Sequence, residues 1–569
     1  MSDRARILSR LKDHTFDLLV LGGGITGAGI ARDAALRGLS VALVEKGDLA
    51  RGTSSASSKL IHGGLRYLEH LEFGLVFEGT RERWLLTRNA PHLAEPLPFL
   101  FPVYKGARVG MLQLTCGMWL YDALAAFRNY RRHELLSPRK THRAEPALLA
   151  RGLRGSARYY DCRTNDARLT LETALDAEHH GAVVATYVEA VGIETDSIGI
   201  TRGLRVRDAL AASLGDGTSE LFPVRARVTV VAAGPWTDRI LAERGRPPCL
   251  RPTKGAHIVL DAKQLPLRHA VVLTSVRDGR VLFAIPWDER TIVGTTDTDD
   301  DEPPDRVEAS AEDVAYLLET ANHYFPSLCA GADDIIATWA GLRPLMQDPE
   351  SDRASDVSRE HALLNIDPGL LAIVGGKLTT YRLMAEQAVD RVLGKLGAKA
   401  KLDPCRTREV PLIGASDPAA LADIDARARE LAREYALEDD VARHLVRSYG
   451  LRAPEVLAAG KEAGVRPGRL VPDLPYLVDE VVFGALRERA ERLDDVLRRR
   501  TQVFLKARDQ GVAVAEEAAR VLGEVLGWDR EREQLEVRRY RQLVALSRRY
   551  KGRRMVPPTS RMKRMPADA

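Results

Sequence analysis

Apolar residues follow two rhythms along this chain. Up to about residue 400 they form short runs broken by glycine or polar turns. Beyond that they recur at helical spacing among Ala, Leu, Arg and Glu. Residues 17–21 are a short apolar run ending in glycines, the pattern of a buried parallel strand. A helix is predicted over 25–37, stopped by Gly38, and a second strand over 40–44. A helix over 169–177 leads to a turn and strand at 179–193, then to hairpins at about 195–225. The run 224–240 is a strand that stops at Ala233-Gly234-Pro235-Trp236 and feeds a helix. Apolar runs at 256–260, 270–276, 280–287 and 291–296 predict an antiparallel sheet, with 297–305 as a surface loop. Segments 334–348 and 370–393 return to strand, loop and helix, the last helix starting near Leu378 after Gly375-Gly376. After a proline-bearing break at 403–418, Val478, Val482, Leu486, Leu493 and Leu497 keep helical spacing, so 405–547 is read as a helical domain. The basic, aperiodic tail 548–569 is expected to be disordered, with an anionic membrane surface or polyanion as its alternative contact.

The junction of the first strand and helix carries Gly22, Gly24 and Gly27 as G-x-G-x-x-G. The first glycine allows a tight turn, the second lets main chain approach a pyrophosphate, and the third lets helix pack on strand. The helix start presents free N–H groups and a positive dipole end to phosphate. Glu45, at the tip of the second strand, is placed to accept from a ribose 2′-OH and argues against a 2′-phosphate. Strand, glycines, helix, strand and acid in order predict a dinucleotide site; FAD and NAD remain equal at this point.

At 569 residues the chain is too long for one core, so two or three domains are expected. A net charge of +5 does not imply nucleic acid. The five cysteines are scattered, without C-x-x-C or a metal-like cluster, which points to free thiols in a reducing cytosol and to no metal. No apolar signal segment opens the chain. Residues 109–127 lean apolar, but Gln113 and Asp122 interrupt them, which makes the segment too polar for a membrane span. A buried amphipathic helix accounts for this segment; a helix lying at a membrane surface is the alternative.

Six further blocks resemble the FAD-dependent glycerol-3-phosphate dehydrogenases: TSSASSKLIHGGLRYLE (53–69), VVAAGPWTD (230–238), KGAHIVL (254–260), IPWDERTIVGTTDTD (285–299), AGLRPL (340–345) and GGKLTTYR (375–382). They stand in the family's order, and 476–501 resembles the family's C-terminal domain. The resemblance implies an α/β fold: a discontinuous Rossmann-like FAD-binding domain, an antiparallel β-sheet substrate domain and a C-terminal helical domain. The first is expected at 14–90, 150–245 and 335–395, and the second at 91–149 and 246–334. It implies oxidation of sn-glycerol 3-phosphate to dihydroxyacetone phosphate by hydride transfer from C2 to flavin N5, with electrons passed to a quinone. It also implies a cytoplasmic enzyme held peripherally on the inner face of the cell membrane, and leaves a homodimer open. The rival readings are an oxidase that reduces O2 to hydrogen peroxide and a non-catalytic flavin-binding interaction protein.

The same resemblance distributes roles. Gly22, Gly24, Ile25, Thr26 and Gly27 are expected along the pyrophosphate, and Glu45 and Lys46 at the adenosine end. Thr53, Ser54, Ser55, Ser58, Lys59, Leu60, Val188, Ala233, Gly234 and Trp236 are expected along the rest of FAD. Gly375, Gly376, Lys377, Leu378 and Thr379, at a helix start, are expected to face the flavin pyrimidine, where a positive dipole end stabilises the negative charge of the reduced ring. A dianionic phosphate calls for planar, multi-donor cations, for which Arg66 and Arg343 stand out; Arg343 reads as part of a loop after a strand. Tyr67, Lys254, His257, Thr296 and Asp297 complete the expected substrate site. His62 is the leading base, because imidazole titrates near working pH; Arg343, Lys254 or His257 would otherwise polarise the reacting oxygen.

Overall fold

The computed structural model describes residues 3–214, 220–299, 302–347, 360–397 and 403–552. Two sheets dominate it. In the first, the strand Thr15–Leu21 lies between Val41–Val44 and Phe222–Val231, parallel to both. Leu370–Gly375 continues the parallel set, His361–Asp367 and Val183–Ala185 form its ends, and the ribbon Val188–Thr195/Thr201–Asp208 joins antiparallel. Side chains alternate across a strand, so Leu18 and Val20 enter a core with the helices Ile25–Leu36, Asp166–His179 and Tyr381–Leu396, while Leu19 and Leu21 enter a second core on the opposite face. Both faces are covered, which is why the run has no polar alternation.

The second sheet is mostly antiparallel and contains Leu250–Asp261, Arg290–Gly294, Val281–Trp287, Ala270–Thr274, Glu95–Tyr104 and Leu153–Arg163. Ala270–Thr274 and Glu95–Tyr104 pair in parallel. Here the expected boundaries shift. Leu60–Ile61, Leu153–Arg163 and Ala337–Met346 belong to this sheet, although 14–90, 150–245 and 335–395 were assigned to the cofactor domain. Ala337–Met346 pairs with Leu250–Asp261 along ten register positions, from Val259↔Ala337 to Leu250↔Met346, so Arg343 stands on a strand and not in a loop. Gly341 and Pro344 read as turn residues. However, Pro344 faces Pro252, so both missing donors fall at one position of the ladder.

The C-terminal part is helical: Ile424–Tyr435, Asp439–Tyr449, Ala453–Glu462, Val478–Arg487, Ala515–Leu526 and Arg530–Ser547. Leu431, Leu445, Val482, Phe483, Leu497 and Leu522 are fully buried among them. Leu486 is exposed, because its helix ends one residue later. The expected disordered tail starts too early: Arg549–Gly552 is a 3-10 turn whose Tyr550 is buried with Leu317 and Phe325. The remainder of that tail, 553–569, lies outside the described residues.

Candidate active site

A cavity of about 870 Å3 lies where the two sheets meet. Its first wall is main chain. Gly22 has φ +118°, and a Cβ there would sit 2.5 Å from the Ala232 carbonyl oxygen. A Cβ on Gly27 would be 1.9 Å from the Gly22 oxygen, so the helix Ile25–Leu36 seats on its strand only with glycine there. Gly24 caps that helix with no side-chain hydrogen bond, and Gly22, Gly24, Ile25 and Thr26 line the cavity. The Ile25 N–H donates to Ser54 Oγ at 2.9 Å, which ties the serine segment to the helix start. Glu45 accepts the Gly23 N–H at 2.7 Å and the Gly47 N–H at 2.9 Å. Burial raises its pKa, against those two hydrogen bonds.

The opposite wall is made of side chains from the second sheet. Arg343 pairs with Asp297 at 2.5 Å and donates to Thr295 Oγ1 and the Thr296 carbonyl. His257 stacks on Trp339 with centroids 4.7 Å apart, and its Nε2 lies 2.8 Å from Ser58 Oγ. Burial first, then the nearby Arg343 and Lys59, depress the His257 pKa well below the usual histidine value, so the ring is neutral at pH 7. Arg66 and Tyr67 sit on the 3-10 turn Leu65–His70 and line the cavity, and the Lys377 ammonium stands 3.7 Å from the Tyr67 ring centroid. Gly375 and Gly376, with φ +74° and +92°, turn the chain into the 3-10 segment Leu378–Thr380, which Lys377 precedes in extended conformation. Thr379 Oγ1 accepts the His62 N–H and donates to the His62 carbonyl.

A scan against protein families matches residues 17–391 to a FAD dependent oxidoreductase model and residues 405–533 to the C-terminal domain of alpha-glycerophosphate oxidase. The chain is 37% identical over 534 residues to the aerobic glycerol-3-phosphate dehydrogenase of Staphylococcus saprophyticus, covering 92% of this chain and 93% of that one. The chain belongs to the FAD-dependent glycerol-3-phosphate dehydrogenase family. The Staphylococcus aureus member is 37% identical over 507 residues. The Bacillus halodurans glycerol-3-phosphate dehydrogenase, solved in complex with FAD, superposes with a TM-score of 0.78 at 31% identity, over 96% of this chain and 97% of that one. The L-alpha-glycerophosphate oxidase of Mycoplasma pneumoniae shares the fold at 19% identity and a TM-score of 0.53.

FAD fits the donor set of this family member. The cavity joins an uncapped helix start, a carboxylate two strands into a βαβ unit and a second glycine-rich helix start, in a volume suited to a large ligand. Lys46, Thr53, Ser54, Ser58, Leu60, Ala233, Gly234, Trp236 and residues 375–379 line it, as do His62, Arg66, Tyr67, His257, Asp297 and Arg343.

Other expected residues stand elsewhere. Lys59 is buried, and its ammonium bonds Asp166 at 2.6 Å. Ser55 Oγ turns back to the Gly52 carbonyl, and Val188 supports Glu45 from its main chain. Thr296 Oγ1 accepts the Ala256 N–H. Lys254 pairs with Asp313 at 3.1 Å, on the opposite face from Gly255 and His257, because side chains alternate along Leu250–Asp261.

Asp166 and Asp161 also shape the site, beyond the residues expected from the sequence. Asp166 accepts from the Ser57 N–H and Oγ and from Lys59, fixing the loop that carries Ser58. Its signal was available: Asn165 caps the helix that Asp166 opens. Asp161 accepts the Gly63 N–H and the Tyr121 hydroxyl. Gly63 has no room for a side chain, since a Cβ would lie 2.4 Å from both Thr80 and Tyr121.

Proposed function

We propose that this chain oxidises sn-glycerol 3-phosphate at C2 to dihydroxyacetone phosphate and passes the electrons to a quinone at a membrane surface. The observation that carries the substrate reading is that three cations, Arg66, Arg343 and Lys377, line the cavity together with a neutral His257. Arg66 and Arg343 take the dianionic phosphate, with Asp297 holding the Arg343 fork in orientation. Bound FAD supplies the two-electron acceptor for the oxidation. The C2 hydroxyl must lose its proton as the carbonyl forms. We assign that proton to His257 over His62, because the His257 ring is neutral and fixed between Ser58 and Trp339. Phosphate bound beside Arg343 offsets one of the charges that depress His257, so substrate binding strengthens the base.

The acceptor reading rests on the rim. Leu71, Phe73 and Leu120 line the cavity and are exposed, and Leu112, Trp119, Phe127 and Tyr130 are exposed on the neighbouring helix Met111–Leu124 and the turn after it. Arg128 and Arg132 stand over Trp84 and Phe127 in the same region. An apolar patch fringed with arginine suits an anionic bilayer, from which an apolar quinone reaches the cavity mouth. Among the described residues no helix is long and apolar enough to cross a membrane.

Anaerobic addition of glycerol 3-phosphate to the holoenzyme should bleach the flavin, and adding a short-chain quinone should restore its colour. Colour that persists with saturating substrate refutes the substrate reading. Peroxide formed in air as fast as substrate is consumed refutes the quinone. Trp119→Glu with Leu112→Glu should abolish cosedimentation with anionic vesicles while leaving flavin bleaching intact.

A further inference from the structure

Among the described residues, the helical domain does not line the cofactor cavity but bonds the backs of two loops that do. Its π-helical turn Asp495–Arg500 and the next two residues press against the loops that bracket the adenosine end and the serine segment. Asp48, fully buried, receives both nitrogens of a fork from Arg500, one at 2.8 Å, and Arg499 Nε binds the same carboxylate. Arg499 also donates to Asp495 at 2.6 Å, and the Tyr187 hydroxyl donates to Asp495 at 2.7 Å. Asp48 belongs to the turn that frames Glu45. Gly47 N–H donates to Glu45, Tyr187 N–H donates to the Gly47 carbonyl, and Ala50 N–H donates to the Gly23 carbonyl at 3.0 Å. The carboxylate gripped by the helical domain is therefore three residues from Glu45 and two from Ala50, which bonds Gly23 between the first two fingerprint glycines.

A second grip lies two residues beyond the π turn. Gln502 Nε2 donates to Asn165 Oδ1 at 2.9 Å. Asn165 caps the helix whose first residue, Asp166, holds Ser57 and Lys59. Arg168, one turn into that helix and fully buried, is bonded by Glu488 at 2.7 Å. One short segment thus secures both FAD-facing loops, 45–51 and 53–59, from the side away from the cavity.

We infer that the π turn of the helical domain is a positioning clamp for FAD: Arg499 and Arg500 through Asp48, and Gln502 through Asn165, hold the two loops in the shape that receives the cofactor. The inference rests on FAD binding and is independent of the substrate and acceptor readings. A π turn placed where the domain meets a ligand loop fits this role, since such turns are costly and cluster at functional positions. The ion pairs are buried, so they contribute geometry more than net stability.

The test uses the full-length protein with FAD removed and added back. Asp48→Asn keeps the shape and removes the charge. If the 45–51 loop is then competent in one molecule in ten, the Kd for FAD rises about tenfold. Amides of 45–51 should exchange hydrogen faster in both apo- and holoprotein, while KM for glycerol 3-phosphate at saturating FAD stays unchanged. Gln502→Ala should raise the Kd about threefold by the same arithmetic, with faster exchange confined to 53–59 and the start of the Asp166–His179 helix. Arg500→Lys should rescue only in part, because a point charge cannot reproduce the fork. FAD Kd and 45–51 exchange within twofold of wild type in Asp48→Asn would overturn the clamp. Should Asp48→Asn fail to fold, Gln502→Ala and Arg500→Lys decide on the same readouts, and wild-type values in both would overturn it.

Discussion

The wall proposed for the cofactor and the wall proposed for the substrate are built from different parts of the chain. At the ends of the parallel strands the cavity is lined by main chain: Gly22, Gly24 and the first turn of Ile25–Leu36, with Glu45 closing the far side. Across from it, Arg343 and His257 project from neighbouring antiparallel strands and are aimed by Asp297, Ser58 and Trp339. A wall of backbone depends on where side chains are absent. A wall of side chains depends on which face of a strand each residue occupies. The first excludes an added atom at Gly22 and Gly27, and the second tolerates change in proportion to the contact removed.

The largest effect should follow from adding one carbon to the backbone wall. Gly27→Ala places a Cβ 1.9 Å from the Gly22 oxygen, a main-chain atom that cannot swing aside as a flexible side chain would. The expected outcome is loss of FAD together with loss of the seated helix, read as absent flavin absorbance and a collapsed melting temperature. A yellow, stable Gly27→Ala protein would break the distinction drawn between the walls. On the side-chain wall, Arg343→Met should leave FAD content intact and lower kcat/KM for glycerol 3-phosphate by about 100- to 1000-fold, the scale of two lost charge-assisted hydrogen bonds. Activity on the phosphate-free alcohol, glycerol, should not fall, since loss of the Arg343 charge relieves the depression of His257. An equal loss on both substrates would remove Arg343 from the phosphate.

This difference also explains what could be read from the sequence. The glycines and Glu45 are legible because G-x-G-x-x-G with an acid beyond the next strand encodes backbone geometry directly. The helical domain is legible because its apolar spacing is regular over many turns. Arg343 was found but set in a loop, since Gly341 and Pro344 carry turn chemistry that ten register positions with Leu250–Asp261 override. The resemblance places Lys254, just before Gly255, at the site, but neighbours along a strand face opposite ways. Asp48 escaped because its partners, Arg499 and Arg500, lie hundreds of residues away. No local pattern announces such a pairing.

A smaller effect comes from His257, through pH. Its folded pKa lies well below 6.5, whereas the unfolded chain takes up the proton near 6.5. Below that pH the unfolded state binds more protons, so this histidine's contribution to stability is complete above about pH 6.5 and shrinks as pH falls toward the folded value. The slope approaches about 1.4 kcal/mol per pH unit. Denaturation midpoints from pH 7.5 to 5 should therefore fall more steeply in the wild type than in His257→Asn. Parallel curves would mean that the buried ring already accepts a proton in the folded protein, and its role as the neutral acceptor would fail with it.

The smallest effect is expected at Lys254, and it bears most directly on strand alternation. Lys254 meets Asp313 on the face of the sheet turned toward the helix Ala311–Tyr324, while Gly255 and His257 meet the cavity. Asp313 keeps the Ser310 N–H and hydroxyl as donors when the lysine is removed, so its carboxylate is not stranded. Lys254→Met should cost about 1–3 kcal/mol of stability, the scale of removing one donor from a buried carboxylate that keeps its others. FAD content, kcat/KM and the rate of flavin bleaching should all stay within about threefold of wild type, the range expected of a change that touches neither wall. A loss comparable to that of Arg343→Met, in a protein that still melts normally, would put Lys254 in the reaction and mean that the strand rotates toward the cavity when substrate binds. The two outcomes differ by at least an order of magnitude in a single stopped-flow measurement, so Lys254→Met separates a lysine that supports the sheet from one that serves the chemistry.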